Sequence, residues 1–143
     1  MELEDILNLW EKDSIIQEDK LDLESLNIPK IHHKYLKILA SERLQYKQLE
    51  SKRKKLSHNL WLYYTGKMPA DVYKKNPLPG DLISNNKIKD YIEVDEKYTL
   101  LTNYIDASNE KIDVLLEIIK EINGRAFKIK NAIEWQKFIN GTS

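Results

Sequence analysis

Apolar residues recur along this chain at helical spacing, and no stretch shows the strict alternation of a half-buried strand. Leu3, Ile6, Leu7 and Trp10 fall at i, i+3, i+4 and i+7, which predicts a short amphipathic helix. Glu2, Glu4 and Asp5 in its first turn complement the positive end of the helix dipole. Asp13 and Ser14 suit a break, and Leu21 to Leu26 form a second helical turn. Asn27-Ile28-Pro29 then reads as a helix start, with Asn27 as candidate cap and proline tolerated in the first turn. From there to Tyr64 no glycine or proline intervenes, so one helix on the order of 50 Å is expected. Gly66 is its natural stop, with Pro69 just beyond. Tyr35, Leu39, Tyr46, Leu49, Leu56, Leu60 and Tyr63 give this helix a seven-residue pattern that Glu42 and Arg53 interrupt. A helix this long needs a partner, from the same chain or another subunit.

Pro69, Pro77, Pro79, Gly80, Asn85 and Asn86 punctuate the next segment and predict turns, with room for a short helix around 70–74. The expectation is a mobile, basic loop carrying Lys67, Tyr73, Lys74 and Lys75. The C-terminal segment is the most regular. With Tyr98 at position a, the a series continues through Ile105, Ile112, Ile119, Ala126 and Ile133. The d series is Leu101, Ser108, Leu115, Ile122, Ile129 and Gln136, so ten of the twelve positions are apolar or aromatic. Leu100, Tyr104, Val114, Leu116, Ile118, Phe127, Trp135 and Phe138 widen the stripe beyond one face. Such width points to self-association beyond a dimer, against the alternative that the long central helix covers it within the chain. Gly124 keeps the register but predicts a kink or break. The fold class is therefore all-α: an acidic helical segment over 1–27, a basic central helix over 28–66, a punctuated region over 67–94 and a helical oligomerisation region over 95–143, in a single folded unit.

Composition narrows the function. The 143 residues contain no cysteine, which removes disulfides, thiolate catalysis and cysteine zinc sites. No apolar run reaches membrane-spanning length and no signal peptide is evident, so an intracellular protein without membrane contact is expected. The formal net charge of zero conceals segregation. Residues 1–27 carry nine acids and two bases, a net of −7; residues 28–75 carry twelve bases and three acids, a net of +9; the remainder is −2. A polyanion responds to the local field of the basic segment rather than to the sum.

Lys52, Arg53, Lys54 and Lys55 lie about two turns before Trp61, Tyr63 and Tyr64, with Lys67 just after. Cations displace counterions from phosphates and aromatic faces stack unpaired bases with little regard to identity, so the pairing suits single-stranded nucleic acid. The plain alternative makes the lysines a solvated face and the aromatics core, and at least one of the three aromatics is core on either reading. His58 on the same stretch reads either as a phosphate contact or as a neutral surface residue. His32 and His33 are adjacent and so diverge around a helix, which suits surface residues rather than a metal site. Asp81 with Asp95-Glu96-Lys97 loosely matches a metal-nuclease pattern, but that chemistry uses strand ends; Asp95 reads better as the N-cap of the last helix. Phosphate-binding loops and nucleophile elbows are missing from the sequence. A protein without catalysis, cofactor or metal is expected.

Several blocks together resemble the UvsY family of tailed-phage recombination mediator proteins over nearly the whole chain. They are Leu3-Glu4-Asp5-Ile6, Glu24-Ser25-Leu26-Asn27-Ile28-Pro29, Lys34-Tyr35, Tyr63-Tyr64-Thr65-Gly66-Lys67, and the run from Ile122 to Trp135 containing Asn123-Gly124-Arg125-Ala126-Phe127. The resemblance implies a helical ring, a hexamer or heptamer, in the cytoplasm of an infected bacterial host. It implies binding to single-stranded DNA and partnership with a phage RecA-type recombinase and the phage single-strand-binding protein that the recombinase replaces. The family's DNA-contacting motif, Leu-Lys-x-(Arg/Lys)-x-x-Tyr-Tyr-(Ser/Thr)-Gly, falls on Ser57 to Gly66, where His58 and Leu60 occupy the two basic positions. Ala126 also stands where the family usually has glycine. The expected DNA-binding set is therefore Lys52, Arg53, Lys54, Lys55, His58, Trp61, Tyr63, Tyr64 and Lys67, with the upstream basic residues and Lys67 replacing the lost charge. The expected assembly set is Ile105, Ile112, Leu115, Ile119, Ile122, Phe127, Ile129 and Ile133. A coiled-coil adaptor that binds only proteins is the alternative function. The acidic N-terminal segment masks the basic arm, docks a partner, or simply packs as a solvated capping helix.

Overall fold

The computed structural model of the chain describes residues 1–80 and 84–141, with Asn85 described by its backbone alone. Among these residues there are helices and no strands. They are α1 (Leu3–Asp13), α2 (Leu21–Leu26), α3 (Ile28–Tyr64), α4 (Ala70–Lys75), α5 (Asn85–Glu93), α6 (Glu96–Asn123) and α7 (Arg125–Ile139). None among the described residues is long and apolar enough to cross a membrane. The all-α reading holds, as do α1, the uninterrupted α3 and the short α4. Asp95 caps α6 as its sequence position suggests, its carboxylate accepting from the N–H groups of Lys97 at 2.9 Å and Tyr98 at 3.1 Å. Two expectations need correction. Asn27 has helical backbone angles and ends α2, so it joins α2 to α3 rather than standing outside as an extended cap. The segment expected to be a turn-rich loop contains α5 in addition to α4, while Asp81 lies outside the described residues.

The chain divides into two compact units: a terminal unit, Met1–Leu44 with Ser108–Ser143, and a middle unit, Gln45–Ala107. The terminal unit buries Ile6 from α1, Leu21 from α2, Ile31, Tyr35 and Leu39 from α3, and Leu115, Ile118 and Ile122 from α6. Trp10 meets Tyr35 edge to face, with centroids 5.5 Å apart. Two polar interruptions of this core are matched to each other. Glu42, which interrupts the apolar pattern of α3, accepts a hydrogen bond from Ser108, which interrupts that of α6, at 2.7 Å. Lys111 completes the cluster with an ion pair to Glu42 at 3.2 Å. A buried carboxylate is tolerable only with such partners.

Arg125, the first residue of α7, is almost fully buried and gathers the start of the chain. It donates to the carbonyl oxygens of Asp13 at 2.7 Å and Ile15 at 3.0 Å, and pairs with the Glu24 carboxylate at 3.1 Å. The Asp13 carbonyl belongs to the last turn of α1, where helical partners run out. Just before it, the helix bends by 38° at Gly124, as the sequence predicts. The Gly124 N–H is shared between the carbonyls of Lys120 and Glu121, both at 3.2 Å. Its φ is −85°, so the bend does not depend on a glycine-only conformation.

Tyr35 gives this unit a pH dependence. Burial first, then its hydrogen bond to Asp13 at 2.9 Å and the charge of that carboxylate, push its hydroxyl above the ordinary value of 10.0. Folding therefore favours the neutral phenol. The contribution is fully present below pH ~10 and is lost as pH rises, by up to about 1.4 kcal/mol per pH unit for one proton. Tyr64 in the middle unit shifts in the same direction and adds to the slope. Tyr35→Phe is expected to cost roughly 1.5–3 kcal/mol at neutral pH, the value of a hydrogen bond to a charged group. It is also expected to flatten the decline in Tm above pH ~10, as thermal melts across the alkaline range would read.

Candidate nucleic-acid interface

The middle unit carries every residue of the expected DNA-binding set. Lys54, His58 and Trp61 stand at i, i+4 and i+7 on α3 and share a face, with Lys55 beside them. Lys52, Lys54 and Lys55 are exposed, and Trp61 keeps 39% of its surface open. The end of α3 then determines where Lys67 goes. The Gly66 N–H donates to the Tyr63 carbonyl at 3.2 Å and the Lys67 N–H to the Leu62 carbonyl at 2.9 Å, the bonding pattern of a Schellman termination. Gly66 adopts a φ of 73°, the left-handed position that this ending requires. With the chain reversed in this way, the Lys67 ammonium lies 4.1 Å from the Trp61 ring centroid, and His58 lies parallel to the same indole at 6.3 Å.

Tyr63 and Tyr64 are placed differently. Tyr63 stacks on Tyr73 of α4 with centroids 5.4 Å apart, and its hydroxyl points at the carbonyls of Asn76 at 2.9 Å and Pro77 at 3.0 Å. Tyr73 in turn donates to the Tyr63 carbonyl at 2.7 Å and accepts from the Met68 N–H at 3.2 Å. Tyr64 packs on Tyr91 of α5 at 5.4 Å. Burial raises the Tyr64 hydroxyl above its ordinary value, and the charge of Asp95 adds to the shift. Both tyrosines thus brace α4 and α5 against the end of α3, and Trp61 is the more open ring. Arg53 also turns inward: it is half-buried, donates to the Thr102 hydroxyl at 3.3 Å, and lies 5.8 Å from the Tyr98 ring centroid on α6. The solvent-facing charge is left to Lys52, Lys54, Lys55 and Lys67.

Residues 9–142 match the family described as "Recombination, repair and ssDNA binding protein UvsY". The chain belongs to the UvsY family. Among solved structures, three crystal forms of the bacteriophage T4 recombination mediator protein UvsY share its fold. Lattice type II aligns with a TM-score of 0.85 at 21% identity, covering 98% of both chains. Lattice type I gives 0.83 at 19% identity over 94% of this chain and 98% of that one, and type IV gives 0.80 at 21% over 96% and 98%. No curated protein matches in sequence. For this UvsY-family chain the expected assembly set divides by burial. Ile105, Ile112, Leu115, Ile122 and Ile129 lie in the chain's own core, Ile119 and Ile133 are half-buried, and Phe127 is 68% exposed. Most of the heptad seam is therefore spent on intrachain packing. Exposed apolar side chains along the C-terminal helices include Leu116, Phe127, Trp135, Phe138 and Ile139, as well as Leu100 and Tyr104. Trp135 and Phe138 stack on each other at 5.6 Å. The sequence reading named Phe127, Trp135 and Phe138 as apolar flanks, and their i, i+8 and i+11 spacing along α7 was the signal that they share a side.

Proposed function

We propose that this chain binds single-stranded DNA through the exposed basic face of α3 and serves as a recombination mediator. In that role it helps a phage RecA-type recombinase onto DNA coated by the phage single-strand-binding protein, in the cytoplasm of the infected host, without catalysing a reaction. The observation that carries the reading is the projection of Lys54 and Lys55 into solvent on the side of the open Trp61 ring, with Lys52 exposed elsewhere around the same helix. Lysines held on a helix track a phosphate backbone, and an adjacent ring supplies stacking that tolerates any base. Family membership supports the same reading.

The chain acts as a homo-oligomer, a hexamer or heptamer, assembled through the apolar surface around Phe127, Trp135 and Phe138. Large exposed apolar side chains gathered on one side of a helix mark interaction surfaces. A ring presents the basic face repeatedly, so modest contacts per subunit become strong avidity along one strand. Wrapping the strand around such a ring extends it and presents bases to the incoming recombinase. Fluorescence anisotropy of a labelled single-stranded oligonucleotide across a salt series, with mass determination on the same sample, tests the reading. Tight binding that weakens steeply with salt, by a species several-fold heavier than the 16.9 kDa chain, is expected. Absence of binding at low salt overturns it and leaves a protein-only adaptor.

A further inference from the structure

Beside the basic face, the middle unit contains a groove of about 810 Å³. Its lining includes Arg53, Ser57, Trp61, Ile92 and Tyr98. A smaller cavity of about 390 Å³ shares Ser57, Trp61, Ile92 and Tyr98 and adds Ile88 from α5. The volume falls within the roughly 300–1,000 Å³ of small-molecule sites. Lys54 and His58 of the basic face also line the groove, and Lys89 and Glu93 line the smaller cavity, so charge stands beside an apolar interior. Ile88 and Ile92 are buried and give an apolar floor, while Tyr98 and Trp61 contribute aromatic rings. Arg53 is already held by Thr102 and by the Tyr98 ring, so little of its side-chain freedom remains to be lost on binding. Its guanidinium has further N–H groups to donate to a neutral acceptor.

We propose that this groove receives one unstacked nucleobase from each stretch of strand that a subunit binds. The sugar-phosphate backbone runs outside along Lys54 and Lys55. The base enters between Trp61 and Tyr98, its apolar face over Ile92, and Arg53 donates to a carbonyl oxygen or ring nitrogen on its edge. Over the isoleucine floor a charged group loses hydration, so phosphate is better served by Lys54 on the lining and the base by the apolar interior. Glu50 on the same lining accepts readily from a base amino group. The inference rests on the DNA reading above and adds a site to it: a base pocket between α3 and the side chains of Ile88, Ile92 and Tyr98 on α5 and α6, bordered by Lys54 of the phosphate track.

The test compares a fluorescent oligo-dT with an abasic deoxyribose-phosphate strand of the same length, using the full chain and two variants. Ser57→Trp fills the groove, and Arg53→Lys keeps the charge but loses the planar donor fork. The unaltered protein is expected to bind oligo-dT at least about tenfold more tightly than the abasic strand, the value of roughly 1.4 kcal/mol of base stacking. Both variants are expected to lose most of that preference while keeping the salt dependence of abasic binding. Equal affinity of the unaltered protein for the two strands overturns the base pocket and leaves the phosphate reading standing. Full oligo-dT preference in a folded Ser57→Trp protein, or in Arg53→Lys, also overturns it, since the bases then stack elsewhere. Failure of both strands to bind at low salt overturns the DNA reading itself, which keeps the two failures distinct.

Discussion

Changing Lys52, Lys54 and Lys55 together to alanine is expected to flatten the salt dependence of single-stranded DNA binding and to weaken it alike on every sequence. Each phosphate neutralised on a single strand contributes about −0.7 to the slope of log affinity against log salt. Removing three such contacts lowers the slope by about 2 for each subunit on the strand, or about 20-fold less change between roughly 50 and 200 mM salt. The three side chains are exposed on α3, and lysine and alanine have similar helix propensity, so folding should be little altered. Circular dichroism and mass determination on the triple variant check that condition. Arg53 is excluded from the set because it already bonds to Thr102 and lies near Tyr98. An unchanged slope would sink the assignment of the phosphate track to these lysines. Replacing Lys67 separately tells whether its position over Trp61 leaves its charge available to the strand.

The same residues show what was legible in the sequence. Elements defined by local chemistry were readable: a long helix wherever glycine and proline are missing, its end at Gly66, the Asp95 cap, the bend at Gly124. The interruptions in the two apolar patterns were readable only as flaws. Glu42 finds Ser108 and Arg53 finds Thr102 at sequence separations of 66 and 49, and no local rule links such positions. A polar residue inside an apolar stripe is compatible with a distant buried partner as well as with an exposed face. The helix α5 was missed because Asn85 and Asn86 read as turn residues, whereas Ser84 and Asn85 begin a helix whose Ile88 and Ile92 stand at i and i+4. That omission hid the floor of the groove. The aromatic cluster was readable as a cluster but not by role. Only the fold separates Tyr63 and Tyr64, which brace α4 and α5, from the more open Trp61. Similarly, the heptad stripe was wide enough to imply more than one buried side, and most of its seam went to the chain's own core.

The largest loss of stability is expected from Arg125→Met. The methionine replaces much of the arginine's apolar stem, so the result is governed by what the guanidinium leaves behind. Glu24, with 18% of its side chain exposed, keeps a carboxylate without its cation, and the carbonyls of Asp13 and Ile15 lose their donors. Breaking one side of a buried ion pair costs roughly 3–5 kcal/mol, and each unsatisfied carbonyl adds to that. Adding Glu24→Leu removes the orphaned charge and, where ion pairs have been replaced by packed apolar groups, stability has often recovered. Here the recovery is expected to be partial, because the two carbonyl oxygens have no donor in either variant. Urea denaturation of the single and double variants provides the measurement. A loss below about 1 kcal/mol in Arg125→Met would mean that water replaces the guanidinium at little cost, and that the chain start is held by Ile6, Leu21 and Tyr35 instead. Full recovery in the double variant would assign the whole loss to the Glu24 charge. The Arg125 Nε, buried without a hydrogen-bond partner among the described residues, bears a cost that both variants remove, so it offsets part of the loss in each alike and the recovery between them still reports the Glu24 charge.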